Sequence, residues 1–217
     1  MNKVSAFRWV PPFAQGLVRD LRVRWALEEA GLAYEVGLLG PEEQKSESYR
    51  CHQPFGQVPA YEENGLVMFE SGAIVLHIAE RSDALMPSDP GARARVTTWM
   101  FAALITGEPP IQNLAEVDFF YAKEEWAKMR RPSAVEGVKK RLTCLSDWMD
   151  GREYLEGRFT AADLLMTTVL RILRHTELVA EMPTLETYRL RCEARPAFQK
   201  ALADQMAVFA ANAPPKG

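Results

Sequence analysis

The chain has 217 residues, 47% of them hydrophobic and 25% charged, which is enough apolar material for one large core or two small ones. Its formal net charge of −3 gives no electrostatic attraction to nucleic acid, and its longest apolar run, residues 99–105, is far shorter than the ~20 residues that span a bilayer. The three cysteines are widely spaced and make no metal-ligand pattern with the histidines, so we expect reduced thiols, a cytoplasmic protein and no metal.

The first part of the chain alternates predicted strands and helices. In chain order these are a strand at residues 3–9, a proline-containing loop at 10–16, a helix from about Gly16 and Leu17 to Ala30, a strand at 32–39 and a short polar helix at 42–49. A strand, a helix and a second strand in succession indicate a parallel pair of strands.

A hairpin and a third helix complete this part. The Val58-Pro59 pair leads into the first strand of the hairpin, and Asn64-Gly65 forms its turn, because this dipeptide between short apolar runs is a strong hairpin signal. A helix is predicted to begin at Ser71, a residue type that often caps helices. The hairpin adds an antiparallel edge, so the sheet should be mixed and four-stranded.

The second part of the chain is predicted to be all helical. Residues 85–90 lie in a stretch rich in proline and aspartate and mark a linker, which divides the chain into domains at 1–84 and 91–217. Helices are predicted at 92–105, 111–131, 134–149, 183–195 and 196–211, with breaks at 107–110 and at Pro132. A capping box at Thr160 and Asp163 predicts the start of one further, buried helix.

Two polar acceptors lie close together in the hairpin and its following helix. A strand edge entered through Val58-Pro59 presents backbone groups with which an extended peptide can pair. The helix start at Glu70-Ser71 offers unpaired N–H groups and a partial positive charge to a carboxylate. Taken singly, each feature is more often only an edge strand or a helix cap.

Four segments together resemble a soluble glutathione transferase. They are residues 22–32 (RVRWALEEAGL), Gly56-Gln57-Val58-Pro59, Glu70-Ser71 and residues 159–163 (FTAAD). Each is weak alone, but their order and spacing are specific and cover nearly the whole chain. The resemblance implies a thioredoxin-like N-terminal domain of the α/β class, followed by an all-helical C-terminal domain that contributes the electrophile pocket.

The resemblance also implies a glutathione site. Pro59 would be cis, and the Val58 backbone would pair with the cysteinyl part of glutathione. Ser71 would bind the γ-glutamyl carboxylate and Glu70 the ammonium group. Gln57 would lie near the glycyl end. Glutathione would then be the co-substrate.

The residues that should activate the sulfur depart from the family pattern. Family members place a serine, tyrosine or cysteine after the first strand, but none occurs between Trp9 and Asp20 in this chain. Three substitutes remain open: the charge of Arg19, the amide of Gln15, and the N–H groups at the start of the first helix. Ser5 lies too early in its strand to reach the sulfur, and Cys51 is expected to be a bystander thiol.

The family pattern places the electrophile pocket between the two halves of the chain. Members of the family commonly form homodimers, so the resemblance implies a homodimer here. The corresponding pocket residues are Trp9, Phe13, Trp99, Phe101 and Ile105, although aromatic side chains at helical spacing are more often core. The predicted function is conjugation of the glutathione thiolate to a small hydrophobic electrophile in detoxification. Peroxidase, isomerase or lyase activity fits the same residues. The alternative is a non-catalytic glutathione-binding or interaction protein of the same fold.

Overall fold

A computed structural model describes residues 1–215 of the chain; Lys216 and Gly217, which the predicted second domain includes, lie outside the described residues. Contacts divide the chain into two compact units. The first contains residues 1–86 together with the residues from Arg195 onward, and the second contains residues 87–194. Within the described part of the chain, no helix has both the length and the apolar character needed to cross a membrane.

A four-stranded sheet forms the centre of the first unit. Its strands are β1 (Asn2–Phe7), β2 (Tyr34–Leu39), β3 (Ala60–Glu63) and β4 (Leu66–Phe69), in the spatial order β2-β1-β3-β4. Strands β1 and β2 are parallel, whereas β1 with β3 and β3 with β4 are antiparallel, which confirms the predicted mixed sheet. Asn64 and Gly65 turn the β3–β4 hairpin with φ angles of 50° and 86°, the left-handed conformation that this dipeptide favours.

The helices of the first unit are α1 (Asp20–Glu29), α2 (Pro41–Lys45), α3 (Glu47–Arg50), α4 (Ser71–Ala79) and α10 (Pro196–Ala211). Helix α1 begins later than predicted, so the expected helix start around Gly16 and Leu17 is wrong. Gly16 has a φ of 75°, which cannot continue a right-handed helix, and the N–H of Leu17 already donates to Ala14 at 3.0 Å. The predicted helix at 42–49 is divided in two because Ser46 is extended.

Helix α10 packs on helix α1. Trp25 and Phe198 are fully buried and lie edge to face, with ring centroids 4.7 Å apart. The Gln205 amide donates to the buried carboxylate of Asp20 at 2.8 Å. The predicted division gave residues 91–217 to the helical domain, whereas these contacts place the last helix with the first unit.

The second unit is helical, and no strand forms within residues 87–194, all of which the structure describes. Its α-helices are α5 (Pro90–Phe101), α6 (Glu108–Phe119), α7 (Glu125–Met149), α8 (Ala161–Leu170) and α9 (Pro183–Glu193). A π-helical segment, Ala102–Gly107, joins α5 directly to α6, and a 3₁₀ turn, Arg171–Leu173, follows α8.

Two predicted helix breaks are wrong. Residues 107–110 do not interrupt the helix, because α6 follows the π-helical segment directly and Pro109 and Pro110 lie at its first positions. Pro132 lies inside α7 on its exposed side, so water can satisfy the carbonyl that proline leaves without a partner. The true break is the turn at residues 120–124.

The predicted capping box of α8 is confirmed. The Thr160 backbone N–H and hydroxyl both donate to Asp163 Oδ2, at 2.8 and 3.0 Å. The other carboxylate oxygen accepts from the Leu155 N–H at 2.9 Å and from the Tyr188 hydroxyl at 3.1 Å. Burial raises the pKa of Asp163, while these bonds act in the opposite direction. The Asp163 carboxylate therefore connects the start of α8 to Leu155 and to Tyr188 of α9 by hydrogen bonds inside the helical unit.

Candidate functional site

The strand edge at Val58 has backbone groups available for a ligand. The peptide bond between Val58 and Pro59 is cis, as the family resemblance implies. Among the described residues, neither the N–H nor the C=O of Val58 makes a hydrogen bond, although the residue is only 8% exposed. An unpaired backbone edge of this kind can pair with an extended peptide.

The residues on either side of this edge are held by side chains. The Gln57 N–H donates to the buried Gln53 side chain at 3.1 Å, and the Gln57 carbonyl accepts from the Tyr49 hydroxyl at 2.6 Å. The Ala60 N–H donates to Ser5 Oγ at 2.6 Å. Val58 and Ala60 also pack with the Tyr49 ring in one buried cluster. Hydrogen bonds thus hold the residues around Val58 in place, while the N–H and C=O of Val58 itself make no hydrogen bond in the part of the chain that the structure describes.

The start of helix α4 provides a place for a carboxylate. The first N–H groups of a helix have no intrahelical acceptor, and in α4 no capping side chain accepts from them either. Ser71 is 5% exposed, and its hydroxyl oxygen accepts a bond from Arg22 Nη1 at 3.3 Å, which leaves the hydroxyl hydrogen able to donate. Arg22 is itself buried, at 4% exposed. The helix dipole and this guanidinium both favour an anion here.

Glu70, at the N-cap position of α4, has an unusual backbone. Its φ of 68° and ψ of 110° lie in a region that residues with a Cβ rarely adopt. Its side chain is exposed and does not cap the helix. Strained backbone of this kind concentrates at functional sites, where the surrounding structure maintains it.

The hairpin register brings these two features to one end of the sheet. Ala60 of β3 is paired with Phe69 of β4. Val58-Pro59, just before Ala60, and Glu70-Ser71, just after Phe69, therefore lie at the same end of the β3–β4 ladder. Gln57 is exposed one residue before Val58. The residues that the resemblance assigned to glutathione are thus neighbours in the first unit.

The predicted sulfur-activating residues precede helix α1. Arg19 occupies the N-cap position of α1 and is exposed. The Gln15 amide Nε2 donates to the Val10 carbonyl at 3.0 Å, so one of its hydrogens serves to hold this loop. The roles of both residues in catalysis stay predictions.

The predicted electrophile-pocket residues belong to both units. Trp9 is half-buried and Phe13 is 37% exposed in the first unit. In the second unit, Trp99 lies 5.2 Å from the Trp148 ring, between ring centroids. Phe101 and Ile105 are 56% and 66% exposed, so both present apolar surface to solvent.

Sequence reasoning missed four residues that support the site. Ser5, Tyr49 and Gln53 hold the edge around Val58, and Arg22 contacts Ser71. Burial raises the pKa of the Tyr49 hydroxyl, so it remains a hydrogen-bond donor at neutral pH. No local pattern identifies these residues, because the contact partners of Ser5 and Arg22 lie 44 to 55 residues away in the chain. No group of metal-binding side chains occurs in residues 1–215.

The mixed sheet with its cis-proline edge defines a thioredoxin-like domain, here followed by a helical unit. Residues 15–80 match the family model of the glutathione S-transferase N-terminal domain. A glutathione S-transferase of Hyoscyamus muticus is 29% identical over 197 residues, which cover 84% of this chain and 92% of the relative.

Solved structures of glutathione transferases are similar to this chain over most of its length. Glutathione transferase F7 of Populus trichocarpa superposes with a TM-score of 0.81 at 25% identity, covering 95% of this chain and 99% of the other. A Burkholderia graminis glutathione transferase with two glutathione molecules bound per subunit gives 0.81 at 25% identity, covering 100% and 89%. Residues 15–80 thus match the glutathione S-transferase N-terminal domain, and the chain as a whole has the fold of glutathione transferases.

Proposed function

We propose that the protein binds glutathione in the first unit and transfers its thiolate to a small hydrophobic electrophile. The observation that carries this proposal is the unpaired backbone of Val58 beside the cis Pro59, in a segment where Gln57 and Ala60 are both held by side chains. The cysteinyl N–H and C=O of glutathione would form a short antiparallel pair with Val58.

The γ-glutamyl end of glutathione would bind at the start of α4. Its carboxylate would accept hydrogen bonds from the Ser71 N–H and hydroxyl, close to the buried charge of Arg22. Its ammonium group would face the exposed carboxylate of Glu70. The glycyl end would lie near Gln57. In these positions a tripeptide would be held at each of its three residues.

Sulfur activation would depend on charge rather than on a hydroxyl. A thiol has a pKa of about 8.5, and a nearby cation or helix start lowers it. Arg19 at the N-cap position of α1 supplies a guanidinium, whereas the N–H groups of Leu21 and Arg22 in the first turn already donate to the carbonyls of Val18 and Arg19. It would stabilise the thiolate but would not act as an acid, because arginine stays charged.

Calorimetric titration with glutathione tests the binding site. The wild type should bind, and Ser71→Ala should bind about 10- to 100-fold more weakly, because a hydrogen bond to a charged group is lost. Ser82→Ala, which lies after α4 and whose side chain makes no hydrogen bond in the described structure, is the matched control and should bind like the wild type. Absence of binding by the wild type would refute the proposal.

A second candidate function is binding without catalysis. It is favoured by the lack of serine, tyrosine and cysteine between Trp9 and Asp20, and by the bond that holds the Gln15 amide to Val10. Turnover with an aromatic halide separates the two. Activity that falls in Arg19→Ala or Gln15→Ala supports the transferase, whereas glutathione binding without turnover supports the alternative.

The protein is further proposed to act as a cytoplasmic homodimer. Two exposed aromatic side chains on the first unit support association: Phe55 and Phe69 are 69% and 38% exposed, and their ring centroids lie 6.1 Å apart. The second unit has an apolar pocket of about 280 Å³ lined in part by Trp99, Leu142 and Met166, which would receive these rings from a second copy. Light scattering of the wild type and Phe55→Ser tests this: a dimer that dissociates in the variant is expected.

Three unpaired cysteines are consistent with a reducing compartment.

A further inference from the structure

Four groups around Val58 form one continuous chain of hydrogen bonds. The Tyr49 hydroxyl lies 2.6 Å from the Gln57 carbonyl oxygen and 2.8 Å from Ser5 Oγ, and Ser5 Oγ lies 2.6 Å from the Ala60 nitrogen. The chain therefore starts at Ala60, passes through two hydroxyls and ends at Gln57. These two backbone positions are the two ends of the tetrapeptide that contains Val58 and Pro59.

The direction of every bond in this chain follows from counting hydrogens. A carbonyl can only accept, so the single hydrogen of the Tyr49 hydroxyl points to Gln57. Tyr49 must then accept from Ser5, and the Ser5 oxygen in turn accepts from the Ala60 N–H. The order of donation is Ala60 N–H to Ser5, Ser5 to Tyr49, and Tyr49 to Gln57. Neither hydroxyl has a second hydrogen, so neither can donate to a ligand without breaking the chain.

We propose that Ser5 and Tyr49 are positioning residues for the cysteinyl part of glutathione: their hydroxyls hold both ends of the Gln57–Ala60 tetrapeptide and thereby present the Val58 backbone to the ligand. This inference rests on the proposed glutathione binding. The Tyr49 ring packs against Val58 and Ala60, which leaves its hydroxyl as the part that acts on the backbone. The γ-glutamyl end binds at Ser71, outside the chain of bonds, and its contacts do not depend on it.

The test compares two ligands. Calorimetry measures the Kd of glutathione, and competition against glutathione measures the Ki of γ-glutamylmethylamide, which keeps the γ-glutamyl end but lacks the cysteinyl backbone. In Tyr49→Phe and Ser5→Ala we expect the Kd of glutathione to rise about tenfold and the Ki of the amide to stay within twofold of wild type. The double variant should be no weaker than the worse single variant, because each change breaks the same chain.

Tyr61→Phe is the matched control, because its hydroxyl donates to Asn2 at 2.9 Å in the same sheet and not to the site. It should leave both ligands unchanged. Hydrogen exchange of the Ala60 amide without ligand provides a second readout, and exchange should accelerate in Ser5→Ala even if Tyr49→Phe does not fold.

Each outcome decides the question. An unchanged Kd of glutathione in both variants, or equal weakening of both ligands, would overturn the positioning role while leaving glutathione binding intact. Additive losses in the double variant would also overturn it. If the wild type does not bind glutathione, the proposed function fails first and the positioning role fails with it.

Discussion

Replacing Glu70 with glycine should make the protein more stable and its glutathione site weaker. The φ of 68° at Glu70 costs a residue with a Cβ about 1–2 kcal/mol. Glycine removes that cost but loses about 0.5–1 kcal/mol in backbone entropy on folding. Because the Glu70 side chain does not cap α4 and is exposed, its removal breaks no contact that offsets the gain. The net expectation is a rise of about 1 kcal/mol in the free energy of unfolding.

Urea denaturation followed by tryptophan fluorescence measures the stability, and calorimetry measures the Kd of glutathione. That Kd should rise about tenfold in Glu70→Gly, because the ammonium group loses its carboxylate. Asn64→Gly is the matched control: its φ is 50°, but asparagine tolerates this conformation, so both quantities should change little. A less stable Glu70→Gly protein would refute the strain argument, and unchanged affinity would remove Glu70 from the site.

Three other changes address the supporting structure. Asp163→Ala should lower the free energy of unfolding by about 3 kcal/mol, since its buried donors lose their acceptor, and a loss below about 1 kcal/mol in urea denaturation would contradict this. Gln205→Ala should cost about 2 kcal/mol by the same assay, because Asp20 Oδ1 loses its donor; no change would mean that this bond contributes nothing. The hydrogen bond from Arg81 lowers the pKa of Glu63 from 4.5 to about 2. The stabilisation of the folded state by ionised Glu63 is therefore fully present above pH 4.5 and is lost as the pH falls toward 2. Acid titration should remove about 1 kcal/mol in the wild type but not in Glu63→Gln.

The sheet and the hairpin were predictable because their signals are local. Asn64-Gly65 specifies its turn through the backbone freedom of two adjacent residues, and the order of strands and helices follows from short periodic runs. The helix breaks were misplaced at prolines. Pro109 directly follows the π-helical segment, and Pro132 lies on the exposed side of α7; both facts depend on position within the folded helix.

The candidate site was predictable only where a ligand-binding residue lies in a recognisable segment. Val58 and Ser71 belong to such segments, and the structure places them at one end of the hairpin. Tyr49 and Ser5 lie outside any motif, and their roles arise from tertiary contacts between distant parts of the chain. Sequence patterns therefore identify the groups that would touch the ligand more readily than the groups that hold them in place.

The return of α10 to the first unit has a consequence for biosynthesis. The core around Trp25 includes Phe198, so the N-terminal unit is not complete when residue 86 leaves the ribosome. It must wait for the whole helical unit and then for the last helix, whereas the helical unit is continuous in the chain and has all its residues by position 194. The order of synthesis and the order of completion are thus reversed, and a chain that ends just after residue 194 has all of its second unit but lacks the helix that closes its first.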